Sequence, residues 1–438
     1  MRLTIRGMCN ALLAGANWNN GTNSGSRARN ANNVRSNVNA NYGGRSSIQD
    51  RWLTPKQIRA YSWLNISLWW NTRTLIGGKV VLVPKGNNPP SSRMKTHTHL
   101  WEDFILKENF ELACDDSQKN GKKNKQAQIR NFNNDKEENL EEIRQSVING
   151  TFHNSRYRTK TIYEPKERDI YMLPYNPDRI VQHAVINVLK PIMANLFIEN
   201  TYSCIEKRGQ IKASLKCSEY VRKYDYCLKC DIRKFYPSIN QKIISSMFHR
   251  IIKDEKFMAV VDDIIFSFEN KENPYHNIPI GNYTSQWFGN FYLTKLDNFV
   301  LHELKCGKYE RFCDDFLLFS NDKAYLHECR KKIEVFLKEE LDLEFSRSDV
   351  FNTKQGVDFC GYRHFKKYKL VRKSTAKRIK KRVKFVKDNL DTENPSLLES
   401  KLASVKGVTK HACTHHFIDS LGYDELVKEV KRRKNNVR

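Results

Sequence analysis

The 438-residue sequence lacks any run of the roughly 18 continuous apolar residues that a membrane-spanning helix requires. Its N-terminus also lacks the charged, apolar and small-residue order of a secretory signal. The 11 cysteines show no paired metal spacing, and Cys227 and Cys230 have no second pair to complete a metal site. We therefore predict a cytoplasmic protein with reduced thiols and no membrane partner.

Acidic residues are scarce relative to basic ones. The 49 Asp and Glu against 76 Lys and Arg leave a formal net charge of +27, which predicts a polyanionic partner. No acid occurs between Phe359 and Lys387, where cations are dense. Apolar residues at helical spacing, Ile379, Val383 and Val386, run through the same stretch. They favour a docked helix that binds a nucleic-acid backbone, and the alternatives are a solvated helix face or a disordered basic tail.

Residues 1–48 contain no Asp, Glu or Lys, and asparagine is repeated throughout them. A segment with so few apolar residues cannot bury enough surface to offset the entropy lost on ordering. Residues 49–93 show no pattern of domain length. We therefore predict that residues 1–93 are an Asn-rich, disordered N-terminal extension.

Periodic apolar patterns begin near Met94. We predict a helical region over residues 94–150, in which one helix runs from Lys136 to Ile148. Farther on, strands and helices alternate and carboxylates occur at strand ends, so the predicted fold class is α+β. His183 lies off the apolar stripe of its helix and is predicted to be a surface or capping residue.

Two adjacent carboxylates, Asp314 and Asp315, stand between two strand-like runs. The predicted β-hairpin would push both acids into solvent, where like charges repel unless a cation joins them. A third carboxylate, Asp231, ends a predicted buried strand upstream. Three acids on neighbouring strand ends form an oxygen site that suits Mg²⁺, and two such ions serve phosphoryl transfer. An Asp-Asp pair by itself is more often a solvated turn.

Six short blocks resemble, in their order, those of reverse transcriptases. They are Tyr163–Arg168, Asp178–Gln182, Asp231–Tyr236, Ile280–Gln286, Phe312–Asp315 and Gly356–Tyr362. Each block alone is weak, but the set is specific. The resemblance implies a right-hand polymerase. Its fingers and its palm, an antiparallel sheet plus helices, would occupy residues 151–365, and a basic helical thumb and tail would occupy residues 366–438.

Within that family the chain resembles the enzyme of diversity-generating retroelements. Most relatives carry a glutamine before the glycine of the fourth block and Ser-Pro after it, whereas this chain has Ile280-Gly281 and Ser285-Gln286. The resemblance implies a bacterial or phage-encoded enzyme that copies a template-repeat RNA into cDNA with errors at adenines, for mutagenic retrohoming. A retron or group II intron-type reverse transcriptase is the alternative within the family. A non-catalytic RNA-binding protein with a polymerase-like palm is the alternative of another class.

The resemblance also suggests an origin for the extension. Gly15–Gly44 resembles the asparagine-studded end of the variable proteins that such elements diversify, and asparagine codons begin with two adenines. A reading frame that runs through the template repeat, and begins at Met1 instead of Met94, would encode such a string. A genuine RNA-binding tail and a folded lectin-like fragment are the other hypotheses.

The resemblance further implies roles for single residues. Asp231, Asp314 and Asp315, helped by the carbonyl of Ile232, would hold two Mg²⁺ ions for phosphoryl transfer. Residues implied to bind the dNTP are Lys166, Arg168, Tyr236, Ile280, Gly281 and Gln286; Gly361 and Tyr362 would form the primer grip; and Lys373, Lys377, Arg378, Lys381 and Arg382 would contact the nucleic-acid backbone. Implied partners are template RNA, the RNA–cDNA duplex, dNTPs and a small basic helical-bundle accessory protein. RNA is predicted to bridge this chain and the accessory protein, and the acidic stretch Asp135–Glu142 is the predicted protein–protein patch.

Four of these residues can also be discussed on physical grounds. The Tyr236 ring would clash with a 2′-hydroxyl and select deoxynucleotides, unless it is simply a core aromatic. The alkyl side chain of Ile280 cannot make the hydrogen bonds of a glutamine, so discrimination between nucleotides is predicted to fall. Gly281 allows the backbone to approach the nucleotide, and Gln286 is predicted to begin the next helix.

Overall fold

The computed structural model describes residues 70–76, 79–84, 95–119, 126–163 and 167–436. The chain divides into two compact units, Met1–Arg93 and Met94–Arg438. In the first unit, strand β1 (Trp70–Ile76) pairs antiparallel with β2 (Lys79–Pro84), a hairpin that the sequence analysis did not predict. Its second strand contains the run Val80–Val83, and such residues favour strands. The remainder of the predicted extension lies outside the described residues.

The second unit opens with four helices. They are α1 (Leu100–Phe104), α2 (Lys107–Gln118), α3 (Ala127–Asn134) and α4 (Lys136–Ile148). The predicted bounds of α4 are confirmed. A two-stranded antiparallel sheet of β3 (Arg158–Ile162) and β4 (Arg168–Met172) follows, and a π-helical turn at Tyr175–Arg179 leads into α5 (Ile180–Leu196).

Helix α5 is buried on several sides. Val181, Ala184 and Ile186 are fully buried, although they point in different directions around the helix. His183 is buried as well, and its ring stacks on Tyr283 with centroids 3.7 Å apart. The prediction of a surface or capping His183 is therefore wrong, because α5 is enclosed by other elements and not only along its apolar stripe.

The middle of the chain alternates helices with the strands of a central sheet. Helix α6 (Gln210–Lys223) precedes β5 (Tyr226–Ile232), which is followed by α7 (Phe235–Ser238), α8 (Gln241–Ile251), α9 (Glu255–Phe266), α10 (Tyr283–Tyr292) and α11 (Thr294–Asn298). The hairpin of β6 (Tyr309–Phe312) and β7 (Asp315–Ser320), helix α12 (Lys323–Leu341) and β8 (Phe345–Asn352) complete this part. Both predicted strands of the hairpin are confirmed.

The central sheet has the strand order β6-β7-β5-β8, and every neighbouring pair is antiparallel. Alternate residues of each strand face opposite sides of the sheet. One face, which includes Cys230 and Phe316, belongs to the main core with α10 and α12. The other face, which includes Cys227 and Leu317, packs on α6 in a second core.

The C-terminal part is a small sheet followed by helices. Strands β9 (Val357–Phe359), β10 (Tyr362–His364) and β11 (Lys369–Val371) form an antiparallel sheet, and α13 (Lys373–Asp388), α14 (Pro395–Thr409), α15 (His415–Asp419) and α16 (Tyr423–Asn436) follow. Ile379, Val383 and Val386 are buried against α14 and α16, which confirms the apolar face predicted for this stretch. No helix among the described residues is long and apolar enough to cross a bilayer.

Candidate active site

The central sheet brings the three predicted catalytic acids to one end. Asp231 on β5 is the register partner of Asp315 on β7. Such partners have Cβ atoms about 4.5–5.5 Å apart. Asp314 lies in the tight connection between β6 and β7, since Phe312 pairs with Asp315 across it. The carboxylates are therefore neighbours, although they are far apart in the sequence.

The acids are not pushed into solvent, contrary to the expectation from the hairpin pattern. All three are only partly exposed, because strand pairing continues to Asp315 and the turn is covered by other elements. Burial raises the pKa of Asp314, and it raises the pKa of Asp315 to about 6; the charge of Asp231 adds to both shifts. This end of the sheet therefore holds negative charge that a cation would stabilise.

Lys229 supplies one cation that the sequence analysis missed. Its Nζ lies 2.9 Å from both carboxylate oxygens of Asp315 and donates to the carbonyl of Asp358 at 2.7 Å. The carboxylate of Asp358 pairs in turn with Arg372, which precedes α13. Lys229 occupies the same face of β5 as Asp231, two positions away, and that strand spacing was the available signal.

Strand β8 contacts the other side of Asp231. The Ser346 hydroxyl donates to a carboxylate oxygen of Asp231 at 2.5 Å. Arg347 is the register partner of Asp231, and its guanidinium pairs with Asp349. Arg347 thus adds a second cation at the edge of the site, and unlike Lys229 it is exposed. A guanidinium remains charged at all relevant pH values.

The donor chemistry of this site fits Mg²⁺. Asp231 and Asp314 offer hard carboxylate oxygens, and the carbonyl of Ile232 lies where the pairing of β5 with β8 is irregular. Asp315 is held by Lys229. Over the described ranges, no three Asp, Glu, His or Cys side chains are close enough together to form a complete metal site. Asp231 and Asp314 are accordingly the residues best placed to hold an ion.

Tyr236 links the acidic turn to the loop that contains Ile280. Its hydroxyl lies 3.5 Å from the Sγ of Cys313, and its carbonyl accepts a hydrogen bond from the backbone of Ile278 at 3.0 Å. The ring is half-buried. It therefore covers the turn while keeping part of its surface open to a ligand.

Ile280 and Gly281 join this loop to β4. The backbone N–H of Tyr171 donates to the carbonyl of Ile280 at 2.8 Å. A Cβ on Gly281 would lie 2.1 Å from the carbonyl oxygen of Tyr171, and its φ is +131°, so only glycine permits this approach. Arg168, also on β4, is exposed, and its charge partly opposes the rise in the pKa of Asp314 that burial causes. Of the predicted nucleotide-binding residues, Tyr236 thus contacts the acidic turn and Arg168 acts electrostatically on Asp314, whereas Ile280 and Gly281 contact β4.

The other two residues implied to bind dNTP are Lys166 and Gln286. Lys166 lies outside the described residues. Gln286 is exposed within the first turn of α10, which begins at Tyr283 with Asn282 as its N-cap. The prediction that Gln286 begins the helix is therefore wrong, because the turn at Gly281 ends early enough for α10 to start before it.

The predicted primer grip lies on the hairpin of β9 and β10. Cys360 and Gly361 both have positive φ, 49° and 82°, which is the conformation of a tight two-residue hairpin turn. Tyr362 is buried, and its hydroxyl donates to the carbonyl of Val408 at 3.0 Å. This side chain joins the hairpin to α14, so a primer contact here would fall to the backbone of the turn.

The cations implied to contact a nucleic-acid backbone all lie exposed on α13. They are Lys373, Lys377, Arg378, Lys381 and Arg382. Because Ile379 and Val383 dock the opposite side of the helix, these charges are presented to solvent together.

Comparison with known proteins identifies the domain that carries this site. Residues 165–364 match the family model for "Reverse transcriptase (RNA-dependent DNA polymerase)". The chain contains a reverse transcriptase domain. The matched range includes the acids Asp231, Asp314 and Asp315 and all of the central sheet, and it ends with β10, before the basic helix α13.

One similar curated protein is the "Putative COX1/OXI3 intron 2 protein" of Saccharomyces cerevisiae, which is 27% identical over 131 residues. The aligned region covers 28% of this chain, and the chain spans only 15% of the length of that relative. Among solved structures, an apo telomerase from Candida tropicalis, truncated from its C-terminal domain, aligns with a TM-score of 0.38 and 13% identity. That alignment covers 50% of this chain and 56% of the telomerase chain.

Proposed function

We propose that this chain is an RNA-directed DNA polymerase whose catalytic centre is the end of the central sheet at Asp231, Asp314 and Asp315. The observation that carries the proposal is the register pair of Asp231 and Asp315, with Asp314 in the adjoining turn, inside a reverse transcriptase domain. Carboxylates that are half-buried and mutually repulsive suit divalent cations, and such cations serve nucleotide transfer.

The chain's own residues orient the substrates around that centre. Mg²⁺ held by Asp231 and Asp314 would neutralise phosphate charge and lower the pKa of the attacking primer hydroxyl. The guanidinium of Arg168, exposed and within electrostatic range of Asp314, suits a triphosphate, which it can bind through two N–H groups. The Tyr236 ring, beside Cys313, would pack under the sugar and exclude a 2′-hydroxyl.

Primer extension on an RNA template tests this assignment. We expect Asp314→Asn to lower the rate about a thousandfold or more, because it removes charge that acts only near the reacting phosphate. RNA binding should be unchanged, since the exposed cations of α13 are separate residues. Asp103→Asn on α1 changes an exposed acid outside the reverse transcriptase domain and should extend normally. Extension by Asp314→Asn near the wild-type rate would refute the assignment.

A finer part of the proposal concerns fidelity. We propose that the enzyme belongs to a diversity-generating retroelement and copies template adenines with errors. The supporting observation is that the loop of Ile280 contacts both Tyr171 and Tyr236, which covers the acidic turn. The alkyl side chain of Ile280 occupies the place of the usual glutamine and can neither donate nor accept hydrogen bonds.

Deep sequencing of cDNA made on one RNA template tests the fidelity proposal. We expect Ile280→Gln to lower misincorporation opposite adenine about ten- to a hundredfold, as expected for a regained contact of ~1–3 kcal/mol. Ile280→Val keeps an alkyl group and should leave the error rate high. If wild-type enzyme copies adenine as accurately as guanine, the mutagenic proposal is wrong.

A second candidate is an intron-type reverse transcriptase. The similarity to the yeast intron protein favours it, and a retron-type enzyme is the related option. The same sequencing experiment separates the candidates, because an intron or retron enzyme has no reason to single out template adenines. A chain that binds RNA but extends no primer would instead be a non-catalytic RNA-binding protein.

We also propose that a small basic helical-bundle protein docks on α4. Glu137, Glu138 and Glu142 are exposed there, whereas Glu141 is held by Arg144. Charge reversal of the three exposed acids to lysine should abolish co-purification of such a partner after ribonuclease treatment. Reversal of three acids that are exposed on α12, Glu328, Glu334 and Glu339, is the matched control. A complex that survives both the α4 reversal and ribonuclease treatment would disprove this docking site.

The proposal for residues 1–93 is that they derive from the template repeat and contribute nothing to catalysis. A chain that begins at Met94 should then extend primers at the wild-type rate. A large loss of activity would show that the segment is a functional part of the enzyme. The cytoplasmic, bacterial or phage setting expected from the sequence stays a prediction.

A further inference from the structure

Arg311 is a fully buried cation on β6, next to the acidic turn. Its side chain has 0% exposure, and it faces Asp297 on α11, which is equally buried. The guanidinium Nε donates to one carboxylate oxygen of Asp297 at 2.8 Å, and Nη2 donates to the other at 2.6 Å. This bidentate contact holds the plane of the guanidinium in one orientation.

The remaining donors of Arg311 point away from Asp297. Nη1 donates to the side-chain oxygen of Asn290 at 3.1 Å and to the backbone carbonyl of Cys313 at 3.0 Å. The Tyr309 hydroxyl donates to Asp297 at 2.7 Å, which further fixes the carboxylate. Helices α10 and α11 therefore determine where Arg311 presents a hydrogen bond to the turn.

The carbonyl that Arg311 holds belongs to a strained residue. Cys313 has a φ of 59°, a backbone conformation that residues other than glycine adopt at a cost of roughly 1–2 kcal/mol. The carbonyl of Cys313 and the N–H of Asp314 form one planar peptide group. An anchor on that carbonyl consequently orients the backbone from which the Asp314 carboxylate projects.

Stability alone does not explain a buried ion pair at this position. Apolar residues of similar volume are often at least as stabilising as a buried pair, because the pair must be removed from water. A lysine would not serve either, because its single ammonium group cannot reproduce the planar fork that contacts both Asp297 and Cys313.

We infer that Arg311 is a positioning residue for Asp314: clamped by Asp297 and Asn290, its guanidinium holds the carbonyl of Cys313 and keeps the turn in the conformation that presents the Asp314 carboxylate. The inference rests on the proposed polymerase function. It adds a role for three buried residues that touch neither substrate nor metal.

The test replaces the pair without leaving a buried charge, as Arg311→Met/Asp297→Leu. We expect a melting temperature and an RNA affinity near those of the wild type. The amides of residues 312–316 should exchange with deuterium about tenfold faster or more, because the turn has lost its anchor. The kcat of primer extension should fall about tenfold or more, and the Mg²⁺ concentration for half-maximal rate should rise, because Asp314 is less well placed.

Two further variants control the experiment. Lys295→Met/Glu340→Leu removes an ion pair of 3.0 Å that joins α11 to α12, away from the turn, and should leave exchange and kinetics unchanged. Arg311→Lys keeps the charge opposite Asp297 but loses the planar fork. Arg311→Lys should show the same faster deuterium exchange, and it takes the place of the double variant in the test if the double variant fails to fold.

The outcomes distinguish this inference from the polymerase proposal. If the wild type makes no cDNA, the proposed function fails, and the position of Asp314 is then judged from deuterium exchange and from Mn²⁺ affinity measured by electron paramagnetic resonance. The role of Arg311 would be overturned if folded variants exchanged deuterium as slowly as the wild type or more slowly. It would also be overturned if the Mg²⁺ requirement were unchanged and activity fell only in proportion to the fraction of unfolded protein.

Discussion

The two faces of the central sheet differ in how fully a buried ionisable side chain is hydrogen-bonded. Arg311 and Glu310 are neighbours on β6, and both side chains are fully buried. On the face toward α10 and α11, Arg311 donates to Asp297, Asn290 and Cys313. On the face toward α6, the carboxylate oxygens of Glu310 have no partner among the described residues beyond the weak thiol donor of Cys217.

This difference shows what complete hydrogen bonding achieves. Arg311 keeps its charge and anchors the acidic turn, because each direction in which it donates meets an acceptor. Burial raises the pKa of Glu310 well above its usual range, which favours the neutral, protonated form of the carboxyl. Arg311 therefore positions the acidic turn, whereas Glu310 is a polar group inside an apolar core, where burial favours its neutral form. Three substitutions test this contrast.

The largest effect is expected where the satisfied pair is broken on one side. Asp297→Ala leaves Arg311 charged, buried and without its counter-ion, which should lower the free energy of unfolding by about 3–5 kcal/mol. Urea denaturation measures this loss. The matched double replacement, Arg311→Met/Asp297→Leu, should lie within about 1 kcal/mol of the wild type, because no charge is left buried. Equal losses for the two would mean that packing, and not charge, determines stability there.

A smaller effect is expected at Lys229, the cation on the opposite face. Lys229→Met removes the partner of Asp315, so the pKa of Asp315, already about 6 because of burial, should rise further. Its charged form is then reached only at higher pH. We expect the rate of primer extension at pH 7 to fall about tenfold, equal to ~1.4 kcal/mol, and to recover as the pH rises.

The control at this position is Lys229→Arg, which keeps the positive charge and the reach to Asp315. Its pH profile should stay close to that of the wild type. Parallel profiles for the Lys229→Met variant and the wild type would show that the ion pair does not tune the site.

The smallest effect is expected at Glu310. The folded-state pKa of Glu310 lies above its unfolded value, so its contribution to stability is complete at low pH and is lost as the pH rises past the unfolded value. Glu310→Gln removes this loss, so the free energy of unfolding of the variant relative to the wild type should increase between pH 5 and pH 8. Urea denaturation at both pH values measures it, with Glu334→Gln on the exposed side of α12 as the control. If the difference in the free energy of unfolding between Glu310→Gln and the wild type did not change with pH, the carboxyl of Glu310 would not have a raised pKa in the folded protein.

The parts of the fold that sequence reasoning predicted depend on local signals. The bounds of α4, the two strands around Asp314 and the apolar face of α13 follow from periodicity and turn residues within a few positions. Where several elements meet, the same reasoning failed. His183 is buried because α5 is enclosed on more than one side, and α10 begins at Tyr283 because the backbone at Gly281 is pressed against β4.

From the sequence alone, Asp231, Asp314 and Asp315 can be singled out as the acids proposed for nucleotide transfer, because the residues that flank them are distinctive. Only the tertiary structure decided how those acids are held. The contact of Lys229 with Asp358 joins residues 129 positions apart, and the clamp of Arg311 on Asp297 depends on how α11 packs against β6. Such contacts arise when whole helices and strands pack together. The pattern of residues near one position in the sequence therefore cannot predict which distant side chain will contact that position.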